Sequence, residues 1–489
     1  MLFNSHIFIL LFLPLLLAGW YFLNWKKKFQ LAQGYLIGMS LWFYAYANLQ
    51  YLWLLLFSCL IGWLLSCVPE KISSEKGKKV LIGVGCVFHL GLLGYFKYSN
   101  FFLENLNTVF HTDFPMLQIL LPVGISFYTF QQLAYLIDRC RKDAPRDSFF
   151  DYLTFMVYFP QLLQGPILLR SEFMEQLKEP ERRRFHAERF SEGIQFFVFG
   201  LAKKVLLADT LAKAVNYGYS NVSMLDSISA LLLAVGYLTE LYFDFSGYCD
   251  MAVGLGKMIG LEVAENFDAP FHSASVKEFW RRWHMTLGRF FTRYVYIPLG
   301  GNRRGKMRTL CNVMIVMLLS GLWHGAAWTF VLWGFLHGVG MIWDNLEHPH
   351  LPKKWMRQAA TFAYVCMTFV FFRAESIAQG MDVLKSIVSL KWNGFVFQMA
   401  SALDLTEFYM ITKALSMKLP GLLSWFWLGI FVVLIAICFR VLSGKKVSGV
   451  VALQKQKGYG RLYPVVLAVL FTWSMISMTG VSEYLYFSF

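Results

Sequence analysis

Charge is what this 489-residue sequence has least of: Asp, Glu, Lys and Arg make up 15% of it, against about 25% in soluble domains. With a mean hydropathy of +0.48, that shortage excludes an ordinary soluble fold and a disordered chain. Short alternating strands are missing too. The apolar runs approach 20 residues, about twice the length of a barrel strand, so a porin-type barrel is excluded. The eight cysteines (Cys59, Cys67, Cys86, Cys140, Cys249, Cys311, Cys366, Cys438) show neither CxxC spacing nor the density of a disulfide framework. They read as small buried hydrophobes. HExxH, GxSxG and the phosphate-binding GxxxxGK[ST] are all absent, so no metal, no hydrolytic serine and no P-loop is expected. Acids are scarce as well, 30 against 45 Lys plus Arg, for a formal charge of +15. No zinc-finger or RNA-binding pattern accompanies that excess, so nucleic acid is not expected as a partner. Cationic loops facing an anionic cytoplasmic leaflet account for it.

What is present is a series of apolar segments. They lie at roughly 6–25, 31–47, 50–67, 79–97, 115–137, 151–169, 190–208, 224–245, 311–345, 356–373, 421–442 and 462–487. The first lacks a basic lead-in and a small-residue cleavage site, which predicts a retained span. The expected architecture is all-α and polytopic: an integral membrane protein of about 11 transmembrane helices with re-entrant or amphipathic helices besides. One membrane domain, 1–489, then divides into wall helices (1–110), a central core (111–345) and C-terminal helices (346–489). The core stands apart because polar, Gly and Pro residues break its runs, as in Gln131-Gln132, Gln164-Gly165-Pro166 and Asp244-Phe-Ser-Gly-Tyr-Cys-Asp250. Broken helices are tolerated at membrane depth where they line a cavity. Lys203 and Lys204, inside an apolar pattern, are expected to snorkel to the interface.

Residues 277–308 carry nine basic side chains against one acid, Glu278. Trp280, Trp283, His284 and Leu287 fall at i, i+3, i+4 and i+7, which predicts one helix over Glu278–Phe291 lying near the membrane face. The cations either anchor that face or bind a phosphate-bearing donor. His324 lies 13 residues beyond Cys311 in the run 311–345, about 20 Å of helix, with small neighbours in Gly321-Leu-Trp-His-Gly-Ala-Ala327. An ionisable group at that depth is a functional hypothesis; the bland alternative is a hydrogen-bonded core histidine. His337 is the weaker candidate, expected near the opposite interface. An imidazole suits proton abstraction from a hydroxyl attacking an activated carbonyl. A polysaccharide or lipid transporter is the rival class, but the Trp-rich basic block has no counterpart in the first half, as an inverted repeat would need.

Several stretches together resemble the membrane-bound O-acyltransferase (MBOAT) family, in its bacterial, AlgI-like branch. They are Leu121-Pro-Val-Gly-Ile-Ser-Phe-Tyr-Thr-Phe-Gln131, Phe159-Pro-Gln-Leu-Leu-Gln-Gly-Pro166, Tyr242-Phe-Asp-Phe-Ser-Gly-Tyr-Cys-Asp250, Glu265-Asn-Phe267, Phe279-Trp-Arg-Arg-Trp-His284, Tyr296-Ile-Pro-Leu-Gly-Gly-Asn302, Gly321-Leu-Trp-His-Gly-Ala326 and the closing Tyr484-Leu-Tyr-Phe-Ser-Phe489. The resemblance implies a fold built around a central tunnel in a multi-pass protein of the bacterial inner membrane. It implies acyl transfer, most simply of acetyl from cytoplasmic acetyl-CoA, with no tightly bound cofactor, toward a cell-envelope or secreted polysaccharide. An extracytoplasmic SGNH-type acyltransferase is the implied partner. More distant DltB-like proteins carry D-alanine from a carrier protein toward teichoic acid. His324 and His284 map onto the family's catalytic positions. Asp244, Ser246, Tyr248, Asp250, Asn266 and Trp323 are expected to support them. Arg281, Arg282, Trp283, Asn302 and Arg303 are expected on the donor side.

Overall fold

The computed structural model describes residues 1–346, 352–442, 446–458, 460–478 and 484–485. The last apolar segment and the closing motif therefore fall partly outside the described residues, at 479–483 and 486–489. All regular structure among the described residues is helical. Two compact units form: residues 1–198 with 248–266 and 286–298, and residues 199–247 with 267–285 and 299–489.

In the first unit the main helices are α1 (Phe8–Trp25), α2 (Phe29–Asn48), α3 (Leu52–Ser66), α4 (Glu75–Leu93), α5 (Ile125–Arg141) and α6 (Phe149–Val157). Side-chain amides are satisfied inside it by hydroxyls and a carboxylate. Gln33 donates to Asp151 at 2.8 Å and Thr154 at 2.9 Å, Gln132 donates to Ser58 at 2.9 Å, and the Tyr152 hydroxyl donates to Gln132 at 3.2 Å. Several expected anchor cations are instead spent on ion pairs. Arg170 grips Asp147, Arg289 grips Glu172, and Arg293 lies 3.0 Å from both Asp138 and Asp143.

In the second unit, α7 is Asp209–Ser220, α8 Ser227–Ile259 (which continues into the first unit), α9 Val276–Arg282, α10 Lys306–His324, α11 Trp328–Asn345, α12 Lys354–Arg373 and α13 Pro420–Leu442. Among the described residues, six helices are long and apolar enough to cross a membrane: Phe8–Trp25, Leu49–Lys71, Glu75–Phe110, Ser227–Ile259, Lys306–His324 and Pro420–Phe439. The expected count of about 11 is not reached by this measure, and the reason is local. Helix α5 has 17 residues, about 25 Å against a hydrocarbon core of about 30 Å, and includes Gln131, Gln132, Asp138 and Arg139. Helix α12 opens on Lys354, Arg357 and Gln358. The apolar patterning is interrupted where it was expected to be continuous.

Candidate active site

The run 311–345 does not form one helix. Helix α10 ends at His324, and Gly325 and Ala327 are extended (φ −158° and −150°) before α11 starts. His324 therefore stands at the bend of a helical hairpin, not midway along a span. Glycines let the two arms close. A Cβ on Gly334 would lie 2.5 Å from the Met317 carbonyl oxygen, and one on Gly321 would run into the Phe330 carbonyl oxygen. With Gly338 facing Met314, the pairings run antiparallel.

The helix expected over Glu278–Phe291 is also broken, at His284. Helix α9 starts with the Ser275 hydroxyl accepting from the Glu278 amide at 3.1 Å, an N-cap. Its first turn is pinned to the end of α11, with the Lys277 amide donating to Asp344 at 2.7 Å and the Lys277 ammonium to Asn345 at 2.9 Å. The Trp283 amide makes the last bond, to Phe279. His284 then takes φ +46°, a left-handed conformation that costs a non-glycine residue about 1–3 kcal/mol. The helix restarts as Met285–Phe291 because the Asn266 carboxamide oxygen caps it, accepting from the Thr286 amide and hydroxyl, both at 3.0 Å. That tertiary cap is absent from the local pattern, which alone reads as unbroken.

These two breaks bring the histidines together. Their ring centroids are 6.5 Å apart, and both side chains are buried. Trp323 packs on both, Phe245 of α8 meets His284 edge-on at 4.8 Å, and Trp333 and Phe372 each lie 5.2 Å from His324. His284 lies outside the six spanning helices, and burial pushes its imidazole down to about 3, leaving it neutral at neutral pH.

His337 is a satisfied core histidine and is fully buried. The Trp280 indole N–H donates to its Nδ1 at 3.2 Å, and its Nε2 faces the Thr368 hydroxyl at 2.9 Å. An indole only donates, so Nδ1 accepts and the neutral ring carries its proton on Nε2. Thr368 passes its own hydrogen to the Val365 carbonyl. This chain ties α9, α11 and α12 together beside the pair. Trp333, between His324 and His337, is fully buried, and its indole nitrogen has no hydrogen-bond partner among the described residues.

Of the expected supporting residues, Trp323 touches both rings. Asn266 caps the helix after His284. Tyr248 stacks on Phe3 at 4.8 Å within the first unit. Ser246 is buried and Asp250 half-buried. Asp244 is bridged by Lys204, which lies 2.7 Å from both Asp244 and Asp209. Lys204 is 2% exposed, so it does not snorkel; a buried ammonium needs its counter-charges close. The donor-side set is dispersed. Arg281, Asn302 and Arg303 are exposed, Arg282 is tied to Glu278 at 2.8 Å, and Trp283 is buried against Phe279 and Phe369. Sequence reasoning did not single out Trp333, one of three tryptophans in α11. Among the described residues no group of three or more His, Cys, Asp or Glu is placed to hold a metal ion.

A histidine pair walled by aromatic rings at a hairpin bend can be compared with known proteins. The profile of the membrane-bound O-acyltransferase family matches residues 141–379. A peptidoglycan O-acetyltransferase from Helicobacter pylori is 36% identical over 423 residues, 80% of each chain. The chain belongs to the membrane-bound O-acyltransferase family. Within this family, it is also 38% identical over 407 residues to a probable alginate O-acetylase AlgI from Pseudomonas aeruginosa, covering 80% of this chain and 75% of that one. A Bacillus subtilis teichoic acid D-alanyltransferase is 28% identical over 274 residues, covering 52% of this chain and 69% of that one. This MBOAT protein is thus a multi-pass bacterial membrane acyltransferase of the AlgI-like branch.

Proposed function

We propose that this MBOAT protein moves an acetyl group from acetyl-CoA on the cytoplasmic side to a hydroxyl on the other side, for O-acetylation of an envelope or secreted polysaccharide. The finer architecture in this reading is about 11 crossings with re-entrant helices around a central tunnel, the shorter helices crossing where the bilayer path is thin. The observation that carries the reading is the approach of two buried imidazoles, 6.5 Å apart, at two helix breaks.

His324 is the base. Its neutral imidazole takes the proton of the acceptor hydroxyl as that oxygen bonds to the thioester carbonyl carbon. The carbonyl oxygen gains the negative charge, and the unpaired Trp333 indole N–H is a donor beside His324 suited to it. Collapse breaks the carbon–sulfur bond, and the imidazolium returns the proton to the leaving thiolate, giving an acetyl ester and free CoA. His284, packed against Trp323, orients the acceptor side of the pair. The exposed Arg281 and Arg303 meet the phosphates of the donor, with Arg282 and the Asn302 amide nearby in sequence and Trp283 packed behind Arg282 in the core. Asp244, Ser246, Tyr248, Asp250 and Asn266 hold the surrounding helices. The names of the two nearer relatives support polysaccharide O-acetylation, and an extracytoplasmic SGNH-type acyltransferase completes delivery.

Membranes carrying wild type or His324→Ala, given labelled acetyl-CoA, test the assignment. Transfer of label into envelope material falls by about 10²–10⁴-fold in the variant with its melting temperature unchanged. A folded variant that transfers normally overturns the role of His324.

A further inference from the structure

A second polar cluster lies in the same unit as the histidine pair, and the transfer chemistry above does not use it. Tyr219 of α7 and Tyr237 of α8 pack edge to face with ring centroids 6.0 Å apart. Glu240 follows Tyr237 on α8 within electrostatic reach of both rings, of Arg373 and of Lys204. The Arg373 guanidinium sits 5.1 Å from the centre of the Tyr219 ring. The Tyr219 and Tyr237 hydroxyls and Glu240 Oε2 are all buried and have no hydrogen-bond partner among the described residues, including one another. These residues are 4%, 0% and 1% exposed. Buried polar groups are nearly always paired, so three orphans in one place call for an occupant able both to donate and to accept.

The position of the cluster points to that occupant. Along α8, Glu240 precedes Phe245 by five residues, about 7.5 Å, and Phe245 packs on His284. Along α12, Arg373 directly follows Phe372, which packs on His324. Helix α12 begins at a cationic end, Lys353, Lys354 and Arg357, which the proposed architecture sets on the cytoplasmic side. Its Arg373 end then faces outward, and half-buried Arg373 joins the cluster to the surface. A metal ion is poorly served, because Asp244 is already held by Lys204. An anion is poorly served, because Glu240 opposes the single guanidinium. A neutral hydroxyl, which donates to a carboxyl oxygen and accepts from a phenol, fits.

We propose that Tyr219, Tyr237 and Glu240 form the outer binding station for the hydroxyl of an uncharged acyl acceptor, on and beside helices that also supply aromatic walls of the histidine pair. The inference rests on the proposed acyl-transfer reading.

Cells carrying wild type, Glu240→Gln, Tyr237→Phe or His324→Ala as their only copy test it by the ester-linked acetate on their envelope polysaccharide. Acetyl-CoA affinity and melting temperature are measured on the purified proteins. The expected result is at least a ~10-fold loss of ester in Glu240→Gln and Tyr237→Phe, the scale of one lost hydrogen bond. Acetyl-CoA affinity stays within about twofold and the melting temperature holds or rises, since an unpaired buried group has been softened. Normal ester content in both variants, with His324→Ala silent, overturns the station and leaves the catalytic reading standing. Ester content, donor affinity and melting temperature falling together assign the cluster to a sealed structural role and also overturn it. Ester content unchanged in His324→Ala overturns the catalytic reading itself and the station with it.

Discussion

The two compact units keep polar groups inside apolar surroundings by different means. The first pairs amides with hydroxyls and a carboxylate, Gln33 with Thr154 and Asp151 and Gln132 with Ser58 and Tyr152, and seats its buried Arg170 guanidinium on Asp147. The second shares one buried ammonium, Lys204, between two carboxylates, Asp209 and Asp244. Among the described residues, unpaired buried polar atoms occur in both, on His89 and Gln164 in the first and on Trp333, Tyr219, Tyr237 and Glu240 in the second. Neutral amides cost little to bury once paired, whereas charges cost several kcal/mol each unless closely matched. The unit that holds the histidine pair thus sets two carboxylates against one buried ammonium, whereas in the first a buried guanidinium grips its carboxylate.

The comparison breaks most sharply at Lys204. Lys204→Met strands two carboxylates and is expected to cost about 3–5 kcal/mol, read as a large drop in melting temperature in detergent. Adding Asp244→Asn recovers part of it. Gly334→Ala, which forces the hairpin arms apart, costs about 1–3 kcal/mol, and it lowers turnover as well because His324 moves with the bend. In the first unit, Gln132→Leu leaves Ser58 and Tyr152 without their partner at a cost of about 1–3 kcal/mol, with turnover preserved; a loss as large as that of Lys204→Met would erase the distinction. Smallest is Arg281→Ala. Its exposure predicts a stability change within about 0.5 kcal/mol, while KM for acetyl-CoA rises several-fold if the basic face meets the donor. An unchanged KM moves the donor elsewhere.

The class of fold was legible in the sequence because it rests on a local signal, long apolar runs; His324 stood out as an imidazole among small residues in one of them, while His284 was singled out only through the family resemblance. The break at His284 was not legible. Its spacing with Trp280, Trp283 and Leu287 is that of an intact helix, and what ends that helix is a cap from Asn266, outside any local window. Likewise Lys204 reads as an interfacial lysine until Asp244, 40 residues on, is folded against it. Glu240 and Arg373 are 133 residues apart. Only six helices are long and apolar enough to cross among the described residues for a related reason: Gln131, Gln132 and Asp138 of α5 pair inside the protein and interrupt its apolar run.

The bond chain Trp280–His337–Thr368 has a consequence for anyone scanning histidines in this protein. It bolts together three helices that carry or flank the reactive pair. A variant at His337 would silence the enzyme and be mistaken for a lost reactant, although the ring only serves as a rivet. The two kinds of silence separate in the bond chain itself: removing the rivet releases α9, α11 and α12 from one another, while replacing the proposed base, His324, leaves that chain in place.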